Sequence, residues 1–112
     1  MTALVTGASG FVGAALAEVL AARGLEVRAA ARAPLPARLA ERVSPAPLPD
    51  LATSGLDDQF AALLDGVEAV VHAAGLAHQP AGMDEAVMRA VNAAASASLA
   101  RAARLRGIHR FV

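Results

Sequence analysis

Apolar residues along this chain fall into two alternating patterns, short continuous runs and longer segments with helical spacing. Short apolar runs that end at glycine or at turn residues are typical of buried strands. Such runs predict strands at residues 2–6, 25–31, 67–74 and 108–112. The last of these coincides with the end of the 112 residues, so we expect that strand to be truncated.

Segments whose apolar residues lie three and four positions apart predict three helices. The first runs from Phe11 to Arg23 and is followed by Gly24, and its spaced apolar residues are Val12, Leu16, Val19 and Leu20. The other two helices are predicted at residues 56–64 and 83–106, each followed by a glycine within two residues.

The stretch from Arg32 to Pro49 contains five of the six prolines, which predicts mostly loop. One helical turn is expected near residues 37–42. Residues 46–48 are a weaker strand candidate, because proline cannot donate to a sheet. The resulting alternation of strands and helices predicts a single α/β domain over residues 1–112, with a doubly wound parallel sheet of about five strands.

Composition excludes several classes of function. Ten basic residues, all of them Arg, balance ten acidic ones, and the three Phe are accompanied by no Tyr or Trp. A neutral chain without aromatic stacking residues is not typical of a nucleic-acid or membrane-surface binder. The absence of Cys excludes disulfides and thiolate metal sites, and no metal-ligand spacing is present. The N-terminus lacks the features of a signal peptide, so a cytoplasmic location is expected.

The clearest chemical signal is a glycine-rich turn between the first strand and the first helix. Gly7, Gly10 and Gly13 lie three residues apart. In such a turn the first glycine lets the chain leave the strand, the second lets backbone N–H groups approach a pyrophosphate, and the third permits close helix–strand packing. The following helix N-terminus favours negative charge, so the pattern indicates a dinucleotide-binding site. A tight turn that binds nothing is the alternative.

Several motifs resemble the extended short-chain dehydrogenases/reductases, a family that includes nucleotide-sugar epimerases, dehydratases and reductases. The turn TGASGFVG at residues 6–13 is similar to the family's TGxxGxxG, and VVHAAG at residues 70–75 is similar to its fourth-strand motif. Asp50-Leu51 resembles the family's acidic–apolar pair, Val91-Asn92 its "vN" pair, and residues 107–112 the start of its fifth strand. The resemblance covers essentially the whole chain and implies a Rossmann-type fold.

The resemblance implies NAD(P) as cofactor and a set of residues that hold it. This set comprises Gly7, Ser9, Gly10, Phe11, Val12, Gly13, Arg32, Asp50, Leu51, Ala73, Ala74 and Gly75. Asp50 is expected at the adenine edge, although a turn-capping role is an equal alternative.

The end of the second predicted strand bears on the choice between NAD and NADP. NAD-binding relatives usually carry an acidic residue there for the ribose 2′-hydroxyl, whereas this chain has Ala31 followed by Arg32. Since an Arg can pair with a 2′-phosphate, the sequence favours NADP over NAD. A solvated loop arginine is the alternative reading.

Other polar residues are interpreted as structural. His72 is expected to face a helix or the core, and His78 to be a plain loop histidine, with a substrate contact as the alternative. For Asn92 the resemblance implies a structural hydrogen bond near the active site. Arg101, Arg104 and Arg106 are expected on a solvated face near a helix C-terminus.

The family's proton transfer uses a Tyr and a Lys four residues later, and this chain contains neither. We therefore expect the chain to be the cofactor-binding part of a longer enzyme, incomplete at its C-terminus and inactive alone, with no catalytic residue of its own. The parent enzyme would be an epimerase, dehydratase or reductase acting on a nucleotide sugar, and a homodimer is conceivable. The alternatives are a non-catalytic NAD(P)-binding sensor or scaffold module and a fragment without function. A half-built last strand also predicts marginal stability for the isolated 112 residues.

Overall fold

The computed structural model describes residues 1–76, 82 and 84–112. The strands are β1 Thr2–Thr6, β2 Glu26–Ala31, β3 Ser44–Pro47, β4 Ala69–His72 and β5 Arg110–Phe111. The helices are α1 Phe11–Ala22, α2 Ala37–Ala40, α3 Asp57–Leu64, α4 Glu85–Arg89 and α5 Ala95–Leu105, with a π-helical segment at Ala90–Ala94 that joins the last two. None of the helices in these described ranges is long and apolar enough to cross a membrane.

Within the described residues the five strands form one parallel sheet in the order β3-β2-β1-β4-β5. β1 is central, and its Val5 is in register with Ala29 of β2 and with Val71 of β4. The strand order changes direction at β1, since the chain first builds outward to β3 and then returns to β4 on the other side. This is the predicted doubly wound, Rossmann-type arrangement, and ligands of such sheets bind where the order reverses.

Two apolar cores cover the two faces of the sheet. On one face α3 and α5 pack over Leu4 and Val70, with Phe60, Leu64 and Leu99 among the most deeply buried side chains. On the other face α1 and α2 pack on small and β-branched residues such as Val5, Val27 and Ala29. The high alanine content matters on this face, because small side chains let helix α1 pack close to the sheet.

The buried side of α1 is not the one that the large apolar residues suggest. Gly13 and Ala17 are buried, whereas Val12 is 58% and Val19 is 52% exposed. The helix was predicted correctly from its spacing, but close packing on the sheet buries its smallest residues, whereas Val12 and Val19 face outward and Leu20 packs only partly against the core.

Several further elements differ from their predicted bounds, among them β4, which is shorter at both ends. β3 begins earlier than expected and accommodates Pro45 and Pro47, which is possible because it is an edge strand with one unpaired side. The long predicted helix is interrupted by the π-helical segment, and Met83, its predicted first residue, lies outside the described residues. The final strand is shorter than predicted, with two residues assigned.

A cleft at the carboxyl edge of the sheet as the candidate cofactor site

A cleft of about 490 Å³ opens at the carboxyl edge of the sheet, a volume typical of small-molecule sites. Each of the first four strands contributes to it the residue that follows its last one: Gly7, Arg32, Leu48 and Ala73. The complete lining consists of Gly7, Ser9, Gly10, Arg32, Leu48, Asp50, Leu51, Ala52, Ala73, Ala74, Gly75, Leu76, Val87 and Val91. The cleft therefore lies at the point where the strand order reverses.

The glycine turn forms the floor of the cleft, and the backbone around it leaves no room for side chains. Gly7 has a φ of +69°, and a Cβ there would lie 2.7 Å from the Ala74 nitrogen. A Cβ on Gly13 would lie 2.1 Å from the Gly7 carbonyl oxygen. Gly10 is less constrained, since its Cβ would lie 3.3 Å from that same oxygen. Gly7 and Gly13 are thus required by packing, whereas Gly10 is small at a position beside the cleft.

The N-terminus of α1 is electrostatically suited to a phosphate. Its N-cap residue, Gly10, provides no side-chain hydrogen bond, and the first N–H that returns to the Gly10 carbonyl belongs to Ala14. The N–H groups of the first helical turn, at residues 11–13, are therefore available to an anion and carry the positive end of the helix dipole. Phe11 is 94% exposed and does not line the cleft.

Arg32 and Asp50 face each other in the lining of the cleft. The Arg32 guanidinium Nη1 lies 3.8 Å from Asp50 Oδ1, and both side chains are largely exposed. Asp50 Oδ1 also accepts a hydrogen bond from the Ala52 backbone N–H at 3.0 Å. Asp50 therefore caps a turn, which was one of its two predicted roles, and still borders the cleft. The weak ion pair leaves the guanidinium accessible to an added anion.

The wall that follows β4 is fixed by a side-chain amide. Asn92, in the π-helical segment, accepts a hydrogen bond from Leu76 N–H at 2.7 Å and donates one to the Leu76 carbonyl at 3.0 Å. Gly75 lies against the same amide, because a Cβ there would be 3.0 Å from Asn92 Oδ1. The expected structural role of Asn92 is thus visible as a two-point contact with the loop that lines the cleft. π-Helical segments often occur beside functional sites.

Behind this wall His72 is held between two hydroxyl groups. Its Nδ1 lies 2.7 Å from Thr6 Oγ1 and its Nε2 lies 2.9 Å from Ser96 Oγ. Burial lowers the pKa of the His72 imidazole below its ordinary value of 6.5, because the charged form loses solvation. The histidine faces a helix, as the sequence suggested, and it does not line the cleft.

Comparisons with known proteins agree with this geometry. The family model described as the NAD-dependent epimerase/dehydratase family matches residues 3–112. The chain belongs to this family.

Solved structures support the assignment. Uronate dehydrogenase from Agrobacterium tumefaciens is 28% identical with a TM-score of 0.77, over 98% of this chain and 38% of that one. A short-chain dehydrogenase/reductase superfamily protein from Agrobacterium tumefaciens with bound NAD is 28% identical with a TM-score of 0.80, over 99% of this chain and 31% of that one. MoeE5, solved with UDP-glucose and NAD, is 29% identical with a TM-score of 0.79, over 99% of this chain and 35% of that one. Curated protein sequences gave no significant match. The chain thus spans less than two fifths of these structures.

Most of the residues predicted from the family motifs come together in the cleft. Nine of the twelve line it, and the exceptions are Phe11, Val12 and Gly13, which begin helix α1. The lining also includes five residues that were not among the predicted cofactor-binding set, namely Leu48, Ala52, Leu76, Val87 and Val91. Val87 and Val91 are four residues apart on one helix face, so a signal existed, but periodicity does not tell which surface that face contacts. His78 lies outside the described residues.

Proposed function

We propose that this chain binds NAD(P) in the cleft and forms the cofactor-binding part of an oxidoreductase or epimerase. The observation that carries the proposal is the combination, at one sheet edge, of a sterically required glycine turn, an uncapped helix N-terminus and an arginine. Together these provide backbone N–H donors and positive charge for a pyrophosphate, with apolar walls beside them.

Different residues of the cleft bind different parts of the dinucleotide. The N–H groups at residues 11–13 hold the pyrophosphate, and Gly10 keeps their approach open. Leu51 and Asp50 contact the adenine, and Arg32 pairs with a 2′-phosphate, which favours NADP. Ala73, Ala74 and Gly75 form the wall toward the reacting end. A bound nicotinamide ring would supply a hydride acceptor or donor.

The test is a calorimetric titration of NADPH and NADH into the complete protein that carries this chain. We expect Gly10→Ala to weaken binding by roughly tenfold or more, since a methyl group at this position keeps the phosphates from charge-assisted N–H contacts that contribute about 1.5–3 kcal/mol. Ala15→Val, which adds bulk to an exposed position of the same helix, is the matched control. Absence of binding by the wild type, or equal binding by Gly10→Ala, would contradict the proposal.

For the substrate we propose a nucleotide sugar. MoeE5, to which the chain is 29% identical, was solved with UDP-glucose as well as NAD. The chain itself contains no Tyr and no Lys, so we further propose that residues outside it carry the family's proton transfer and bind the sugar. Incubating the complete protein with UDP-sugars and NADP or NAD, and following nicotinamide absorbance and sugar products, tests this directly.

The lack of Tyr and Lys in this chain also supports a second candidate function, a non-catalytic NAD(P)-binding sensor or scaffold module. Comparing dinucleotide binding with turnover of nucleotide sugars distinguishes the enzyme from the non-catalytic module. Tight dinucleotide binding without turnover of any nucleotide sugar, in a complete protein that has no Tyr-x-x-x-Lys sequence, favours the module.

A further inference from the structure

A continuous set of hydrogen bonds runs behind the cleft from the end of one strand to the π-helical segment. Ala74 N–H donates to Thr6 Oγ1 at 3.2 Å, and Thr6 Oγ1 lies 2.7 Å from His72 Nδ1. His72 Nε2 lies 2.9 Å from Ser96 Oγ, and Ser96 Oγ donates to the Asn92 carbonyl at 3.1 Å. We call these four hydrogen bonds the His72 relay.

The direction of the relay follows from counting protons. The single hydroxyl proton of Ser96 is used on the Asn92 carbonyl, so Ser96 Oγ must accept from His72 Nε2–H. His72 Nδ1 then bears a lone pair and accepts the hydroxyl proton of Thr6, while Thr6 Oγ1 accepts from Ala74 N–H. In this arrangement every group donates in the same sense, and all four hydrogen bonds are made.

The opposite tautomer satisfies fewer groups. With the proton on Nδ1, Thr6 Oγ1 would accept from both His72 and Ala74, and its own hydroxyl proton would have no acceptor among the described residues. Thr6 is fully buried, so an unpaired hydroxyl there is costly. The imidazolium form has the same defect. Throughout the described ranges, no buried side-chain nitrogen or oxygen lacks a partner.

The relay holds the wall of the proposed dinucleotide cleft that follows β4 at two points. At one end is Ala74, which lines the cleft and lies against Gly7 of the glycine turn. At the other end is the backbone of Asn92, whose side chain holds Leu76 in the cleft wall. The intervening hydroxyl groups belong to Thr6 of β1 and Ser96 of α5, so His72 of β4 links two neighbouring strands to the helix that follows the π-helical segment.

We propose that His72 is a positioning residue, held as the neutral Nε2–H tautomer, that fixes the Ala74–Leu76 wall of the cleft relative to the glycine turn. This deepens the proposed function and rests on it for its effect on binding. The lowered pKa of the imidazole is consistent with a histidine that stays neutral. The residue acts through Ala74 and Asn92 and does not touch the cofactor.

The first test is the proton itself, observed by ¹⁵N–¹H NMR of the complete protein with labelled histidine. We expect a slowly exchanging proton on His72 Nε2 and an unprotonated Nδ1, assigned by the signal that His72→Asn removes. His109 is exposed and serves as a reference within the same molecule, since the N–H of a solvated imidazole exchanges too fast to be seen. A proton on Nδ1, or protons on both nitrogens at neutral pH, would overturn the proposal.

The second test asks whether the relay positions the cleft wall. Ser96→Ala removes the acceptor of His72 Nε2–H, and Ser96→Thr restores a hydroxyl. Ser98→Ala, which removes a hydroxyl that among the described residues contacts surface Arg101, is the matched control. We expect Ser96→Ala to speed exchange of the Nε2 proton and of the Ala74 amide and to weaken dinucleotide binding by roughly three- to tenfold. Ser96→Thr should recover most of that loss, and Ser98→Ala should match the wild type.

Different results would contradict the positioning role of His72 and the proposed dinucleotide binding. If Ser96→Ala leaves both the Ala74 amide exchange and the dinucleotide affinity unchanged, the positioning role is wrong. If the wild type binds no dinucleotide, the proposed function is wrong, and Ala74 amide exchange in Ser96→Ala still decides whether the relay holds the wall.

Discussion

The packing of helix α1 on the glycine turn gives a prediction whose magnitude can be worked from the structure. In Gly13→Ala the new Cβ would lie 2.1 Å from the Gly7 carbonyl oxygen and 2.7 Å from the Gly7 carbonyl carbon. Both are backbone atoms, so no side chain can rotate away, and the helix must move by about 1 Å to reach ordinary contact distances. Overpacking of this kind costs up to about 3 kcal/mol, and the better helix propensity of Ala returns at most about 1 kcal/mol. We expect a net loss of about 2 kcal/mol in the free energy of unfolding.

The assay is urea unfolding of the complete protein, with Gly10→Ala as the comparison. Both variants add one methyl group to the same turn, but Gly10 has a φ of −81° and a ψ of 169°, a conformation that Ala adopts readily. Its Cβ meets the Gly7 oxygen at 3.3 Å, so we expect a stability change below about 0.5 kcal/mol and a loss of dinucleotide affinity. A Gly13→Ala protein as stable as the wild type would refute the reasoning, because it would show that α1 does not press on the turn as described.

Three further predictions concern charge. Arg32→Asp should weaken NADPH binding by roughly 10- to 100-fold and NADH binding far less, because one charge-assisted contact to a 2′-phosphate is lost. Arg38→Asp, at an exposed ion pair with Glu18 outside the cleft lining, should change neither affinity. Equal losses for the two dinucleotides in calorimetry would contradict the NADP preference. The free energy of unfolding should fall as the pH drops below about 6.5, by at most about 1.4 kcal/mol per pH unit, because His72 binds a proton more readily in the unfolded chain than in the folded one. The urea midpoints of His72→Gln should lack this part of the pH dependence. An equal pH dependence in wild type and variant would contradict a lowered pKa. Arg28→Met should lower the free energy of unfolding in urea by about 1–3 kcal/mol, because Arg28 Nη1 donates to the carbonyls of Leu63 and Asp65 at 2.6 and 2.7 Å at the end of α3. An unchanged urea midpoint would show that these two hydrogen bonds are not needed for stability.

Few polar side chains line the candidate site. Its floor is backbone, and its walls are mostly alanine, leucine and valine. Polar side chains are used instead behind the walls, where Asn92 and the His72 relay hold backbone segments in place. Rigid placement of backbone donors is how a phosphate site discriminates with few charged side chains.

The sequence by itself determined the order of the elements and the identity of the turn. Apolar runs closed by Gly7 and Gly75 marked β1 and β4, and helical spacing marked α1 and α3, because local periodicity directly reflects the repeat of each element. The three-residue glycine spacing predicted the tight turn between β1 and α1, where a Cβ at Gly7 or Gly13 would meet neighbouring backbone atoms.

Only the tertiary structure decided which residues meet. It buried Gly13 and Ala17 of α1 and left Val12 and Val19 outside, because the distance between helix and sheet, and not hydrophobicity alone, selects the buried side. It also joined Thr6 to His72 across 66 positions and turned Val91 toward the cleft. Contacts between residues so far apart leave no trace in local spacing, since they depend on strand register and on the helix that packs over it.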